Sequence, residues 1–107
     1  MKQVILKIYG DVQGVSFRWW AKNVADELEL TGWVRNEPDG TVKVVAEGDE
    51  KVLKSFIDRC YTIADGTSNI LNATFVASSV KVKKIDVEWR KTSGEFKEFS
   101  IRYKNFR

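Results

Sequence analysis

The chain has 107 residues, 43% hydrophobic and 31% charged, with seven Gly and one Pro. This is the size and composition of one globular domain and excludes a disordered or collagen-like chain. With no histidine and a single cysteine, imidazole bases, His metal ligands, disulfides, Cys-rich zinc sites and CxxC redox chemistry are excluded.

The net charge of +3 is too small to argue for a nucleic-acid partner. The excess is C-terminal, with nine Lys/Arg against four Asp/Glu in residues 80–107, and reads as solvated strand faces and guarded sheet edges. Lys7 interrupts the apolar run from Val4 to Ile8, so no secretory signal is expected, and no segment approaches a membrane span. The expectation is a cytoplasmic protein, and one unpaired thiol suits a reducing compartment.

Val4, Leu6 and Ile8 alternate with Gln3, Ile5, Lys7 and Tyr9, a first strand ending at Gly10. After the Asp11–Ser16 loop, Phe17, Trp20, Ala21, Val24, Ala25 and Leu28 recur at helical spacing, with Ser16 placed as N-cap. Residues 31–36 and 41–46 read as strands joined by the turn Glu37-Pro38-Asp39-Gly40. Val52, Leu53, Phe56, Ile57 and Cys60 form a second helical stripe to about Thr62, capped by Asp49. Cys60 lies on that stripe and reads as a buried structural thiol.

Residues 65–79 read as a long polar loop, in which Asn72-Ala73-Thr74 is a chance glycosylation sequon. Val80 and Val82 alternate, the phase slips at Lys83-Lys84 as a bulge requires, and Ile85, Val87 and Trp89 resume it. Thr92-Ser93-Gly94 is a turn, and Phe96, Phe99, Ile101 and Tyr103 form a last apolar set. The order βαββαβ predicts an α+β, ferredoxin-like sandwich: an antiparallel sheet, two helices on one face and an extra C-terminal strand.

The chemistry-bearing stretch is Gly10-Asp11-Val12-Gln13-Gly14-Val15-Ser16-Phe17-Arg18. Turn amides can converge on one oxyanion, first-turn amides and the helix dipole favour negative charge at the same point, and Arg18 adds a fork of donors. Together they point to a phosphoryl group.

This stretch, with Gly32, Val34, Asn36, Asp39, Gly40, Val42, Glu47 and Gly48 further on, resembles the acylphosphatase family. The family's Gly-x-Val-Gln-Gly-Val-x-Phe-Arg loop is met at every fixed position, as is its second signature, Gly-x-Val-x-Asn followed by Asp-Gly-x-Val and Glu-Gly. The likeness runs from about residue 4 to residue 57 and returns at Gly94-Glu95-Phe96 through Tyr103. Between them the chain departs: 65–79 holds no proline and is roughly ten residues longer than usual. The resemblance implies hydrolysis of acyl phosphates to a carboxylate and inorganic phosphate without metal or organic cofactor. It implies that Arg18 and the loop of Gln13, Gly14, Val15, Ser16 and Phe17 bind the phosphate and that Asn36 orients the attacking water.

Glu37 and Asp39 read as solvated turn residues rather than an acid/base pair, and Glu47 as a brace outside the site. Trp20 and Trp33 fall on apolar faces and are expected in the core. Trp19 is off that stripe, beside Arg18, and is expected to pack there, under the 65–79 stretch or against the acyl group of a substrate. The alternative is a non-catalytic ferredoxin-like module binding an anion or RNA. The Lys/Arg-Gly-aromatic run of RNA-recognition domains is missing, and the C-terminal aromatics Trp89, Phe96, Phe99, Tyr103 and Phe106 are spaced as core-facing strand residues. An acylphosphatase-like domain serving carbamoyl-phosphate chemistry within a larger hydrogenase-maturation enzyme is a further alternative. The length of the chain favours instead a free-standing domain, expected to be a monomer.

Overall fold

A computed structural model of the chain describes residues 1–13, 17–63 and 80–103. Its elements are β1 (Lys2–Asp11), α1 (Phe17–Glu27), β2 (Thr31–Asn36), β3 (Val42–Gly48), α2 (Glu50–Thr62), β4 (Lys81–Lys91) and β5 (Phe99–Arg102). The strands form one sheet in the order β4-β1-β3-β2-β5. The first four pair antiparallel, as the ferredoxin-like reading requires. β5 adds beside β2 in parallel, so the sheet is mixed.

Alternation sorts the strands into two faces. Val4, Leu6, Ile8, Val34, Val42, Val44 and Ala46 are buried and meet Phe17, Trp20, Ala21, Val24 and Ala25 of α1 and Leu53, Phe56 and Cys60 of α2. The Cys60 thiol is fully buried and burial pushes its pKa up, as suits a structural residue. Asp49 caps α2 by accepting from the Lys51 amide at 2.9 Å. The N-cap expected at Ser16 and the loop expected at 65–79 lie outside the described residues. Among the described residues no helix is long and apolar enough to cross a membrane.

The phase slip in β4 is a bulge. Tyr9 faces Lys84 and Gly10 faces Val82, so Lys83 is skipped. Gly10 (φ +134°) lies against this bulge, where a Cβ would drive into the Lys81 carbonyl oxygen and come within 2.9 Å of the Lys83 nitrogen. Gly32, which opens the second motif, has the same φ and the same conflict with the Val45 carbonyl. The first glycine of each motif is thus fixed by strand-to-strand approach.

α1 ends in a stop signal that the sequence does not advertise. The Leu30 amide bonds the Ala25 carbonyl at 2.8 Å and the Glu29 amide bonds the Asp26 carbonyl at 3.1 Å, a Schellman motif with Glu29 at the left-handed position (φ 59°). Glycine adopts that conformation without the Cβ penalty. Glu29→Gly is therefore expected to stabilise the fold by ~0.5–1 kcal/mol, measurable as a rise in the urea midpoint at unchanged slope.

Candidate active site

The first motif is held to the fold at several points. Val12 and Phe17 are each 1% exposed and plug the core on either side of the loop. The Gln13 side chain donates from Nε2 to the carbonyls of Glu37 and Thr41, both at 2.8 Å, pinning the loop to the β2–β3 turn. Its amide group is thereby engaged with the hairpin, and its contribution to an anion would come from the main chain. The sequence supplied this glutamine as a phosphate-loop residue and missed the staple.

Arg18, in the first turn of α1, is half-buried and has no carboxylate within ion-pair distance among the described residues. Its Nη1 makes a long bond, 3.5 Å, to the Arg102 carbonyl, and its guanidinium lies 4.9 Å from the centre of the Tyr103 ring. The α1 first turn carries no acidic side chain, so the helix N-terminus keeps its positive character. Arg102 pairs with Arg35, and Asn36 is the next residue of β2. Gln13 bonds the Glu37 carbonyl on the other side of Asn36. Arg18 and Asn36 therefore stand at one end of the sheet, and strand alternation places Asn36 on the α1 face with the buried Val34. Gly14, Val15 and Ser16 lie outside the described residues. Trp19 is 40% exposed beside Arg18.

The turn residues are structural. Asp39 accepts from the Thr41 hydroxyl at 2.6 Å and amide at 3.0 Å and pairs with Lys7 at 3.0 Å. The Thr41 bonds, then Lys7, lower its pKa to about 2. Glu37 pairs with Arg35 at 2.5 Å.

Trp20 is in the core as expected, its ring tilted 31° to that of Phe17 with centroids 5.6 Å apart. Trp33 is only 8% exposed, yet it is absent from the core cluster. Alternation with Val34 puts it on the open face, where Arg35, Arg102 and Lys43 cover it at 4.7, 4.4 and 5.9 Å. The C-terminal aromatics also divide: Phe99 is buried, whereas Trp89 on the edge strand is 38% and Tyr103 61% exposed. Phe106 lies outside the described residues.

Glu47 does not brace the site. It faces Gln3, five residues along the ladder from the Ile8–Val42 pair at the Arg18 end, roughly 17 Å away at strand spacing. Buried at 5% exposure, it accepts from Gln3 Nε2 (2.6 Å), the Thr92 hydroxyl (2.7 Å), the Ser93 amide and hydroxyl (2.8 and 2.7 Å) and the Gly94 amide (3.1 Å). Burial alone raises its pKa, but these bonds outweigh it and bring the value down to about 2. A depressed carboxylate stabilises the fold above its unfolded pKa of about 4.5, and that contribution is lost as pH falls towards 2. The stabilisation is of order 3 kcal/mol. Glu47→Gln is expected to remove about 2–3 kcal/mol at pH 7 and to flatten the fall in unfolding free energy between pH 5 and pH 2.5, measured by urea titration.

The acylphosphatase family model matches residues 4–80, which include both motifs. A curated acylphosphatase of Methanospirillum hungatei is 43% identical over 67% of this chain and 79% of its own length. One of Geobacillus thermodenitrificans is 37% identical over 96% of each. The crystal structure of acylphosphatase from Bacillus subtilis superposes with a TM-score of 0.74 at 33% identity, covering 96% of this chain and 100% of that one. Matched in sequence across nearly its whole length, and in fold, this chain belongs to the acylphosphatase family.

Proposed function

We propose that the protein hydrolyses the carboxyl–phosphate bond of acyl phosphates, with Arg18 and the main-chain amides of loop 13–18 holding the phosphate and Asn36 orienting water. The observation that carries this reading is the cation of Arg18, which lacks a carboxylate partner among the described residues and stands at a helix N-terminus, at the sheet end where β2 delivers Asn36.

An acyl phosphate leaves as a carboxylate, whose conjugate acid has a pKa of ~4, so the leaving group needs no protonation at neutral pH. The water oxygen bonds to phosphorus as the P–O bond to the acyl group breaks. The bonding pair departs on the carboxylate, and the water proton passes to the phosphate product. What remains for the protein is in-line positioning and stabilisation of charge on the equatorial oxygens, which suits donors rather than strong bases. Asn36, a neutral donor and acceptor, can hold water without adding negative charge beside the phosphate. That division of labour explains how a site can work in a chain without histidine.

In this reading residues 1–107 act as one monomeric cytoplasmic domain, with 65–79 an insertion that spares both motifs. The test is release of inorganic phosphate from benzoyl phosphate in the presence of a chelator. Rapid turnover is expected. A folded protein without turnover would instead support the alternative, an anion-binding scaffold.

A further inference from the structure

We propose that Trp33, on the sheet face away from α1, is a positioning residue for phosphate binding that acts on Arg18 through Arg102. The inference rests on the reading of Arg18 as the phosphate ligand.

Arg35 and Arg102 are paired across the parallel β2–β5 ladder, and like charges directly opposite on neighbouring strands repel. β5 is a four-residue edge strand, and Arg102 is its last residue, so this repulsion acts where the strand is least held. Two features offset it. Glu37 neutralises Arg35 at 2.5 Å, and the Trp33 ring lies under both guanidinium groups, 4.7 Å from Arg35 and 4.4 Å from Arg102. Arg102 has no carboxylate partner among the described residues, so the indole is the group that holds its side chain down.

The main chain of the same residue faces the site. The Arg102 carbonyl accepts from Arg18 Nη1 at 3.5 Å, and the next residue, Tyr103, sets its ring 4.9 Å from the Arg18 guanidinium. The end of β5 is therefore the rest on which Arg18 sits, and Trp33 pins that end from the opposite side of the sheet. Without the pin, Arg18 loses both contacts and must be ordered by the ligand, which weakens phosphate binding. The chemical step on bound substrate is spared, because Trp33 touches none of the reacting atoms.

The test uses the full chain, with inorganic phosphate as the binding probe (calorimetric Kd) and benzoyl phosphate as substrate. Trp33→Leu removes the ring and Arg102→Met removes the guanidinium; the exposed position of Arg102 keeps the second variant foldable if the first is not. Trp33→Leu is expected to raise the phosphate Kd and KM by about three- to tenfold, and Arg102→Met, which also removes the repulsion from Arg35, by about two- to fivefold, each with kcat changed less than about twofold. The double variant should be no worse than the weaker single, because the two share one contact, and Trp33→Phe should recover most of the affinity. An unchanged phosphate Kd in Arg102→Met, or a fall in kcat at constant KM, overturns the proposal. A wild-type protein that binds phosphate without turning over benzoyl phosphate defeats the acylphosphatase reading alone, and the Kd comparison still decides the role of Trp33.

Discussion

Replacing Arg18 by methionine is expected to lower kcat/KM for benzoyl phosphate by at least ~10³-fold, since it removes the charged donor fork proposed to stabilise phosphoryl charge. Arg18→Lys should recover part of this, because lysine restores the charge as a point but not the planar pairing with two oxygens. Asn36→Ala should behave differently. If Asn36 holds the water rather than the phosphate, kcat falls by ~10²–10³-fold while KM and the inhibition constant of inorganic phosphate stay near wild type. Steady-state kinetics with circular dichroism as the check on folding separates the two roles. The Arg18 variant should remain folded, since that side chain is half-buried at the surface and makes one long hydrogen bond and one ring contact.

The second large effect is on stability. Gly10→Ala is expected to cost about 3–5 kcal/mol, combining a left-handed φ that an L side chain rarely adopts with overpacking against main chain. The atoms in the way, the Lys81 carbonyl and the Lys83 nitrogen, belong to the bulge that joins β4 to β1. The strand itself must shift, as no rotamer can relieve the contact. Urea unfolding should show the loss as a lower midpoint, and the phosphate Kd of the folded fraction should weaken, because Gly10 also sets where the loop leaves the sheet.

Much of this was legible from local pattern. Period two in residues 4–8 and period 3.6 in residues 17–28 and 52–60 place the strands and helices because one face of each must be buried, and the phase slip at Lys83-Lys84 locates the bulge for the same reason. Arg18 and Asn36 stand out as candidates because both sit in motif contexts, and the structure brings them to the same end of the sheet. Less legible were features set by tertiary context. Trp33 reads as core by residue type, yet in an edge-proximal strand it is buried under arginines from its own strand and from β5. The partner from β5, Arg102, lies 69 residues on from Trp33, in a strand that pairs in parallel. Glu47 sits in a family motif, but its partners, Thr92 to Gly94, lie 45 to 47 residues on and reach it only because the β4–β5 connection folds over the open face. The Glu29 terminus carried no signal, as a glutamate occupies a position where glycine would have announced the stop.

In the proposed reaction water attacks phosphorus while Arg18 holds the phosphate. Hydrolysis of benzoyl phosphate by the protein in ¹⁸O-labelled water, followed by mass analysis of both products, shows which bond breaks. The expected result is one labelled oxygen in the inorganic phosphate and none in the benzoate, because the P–O bond breaks. Label in the benzoate would mean attack at the carbonyl carbon, which contradicts the roles given to Arg18 and Asn36.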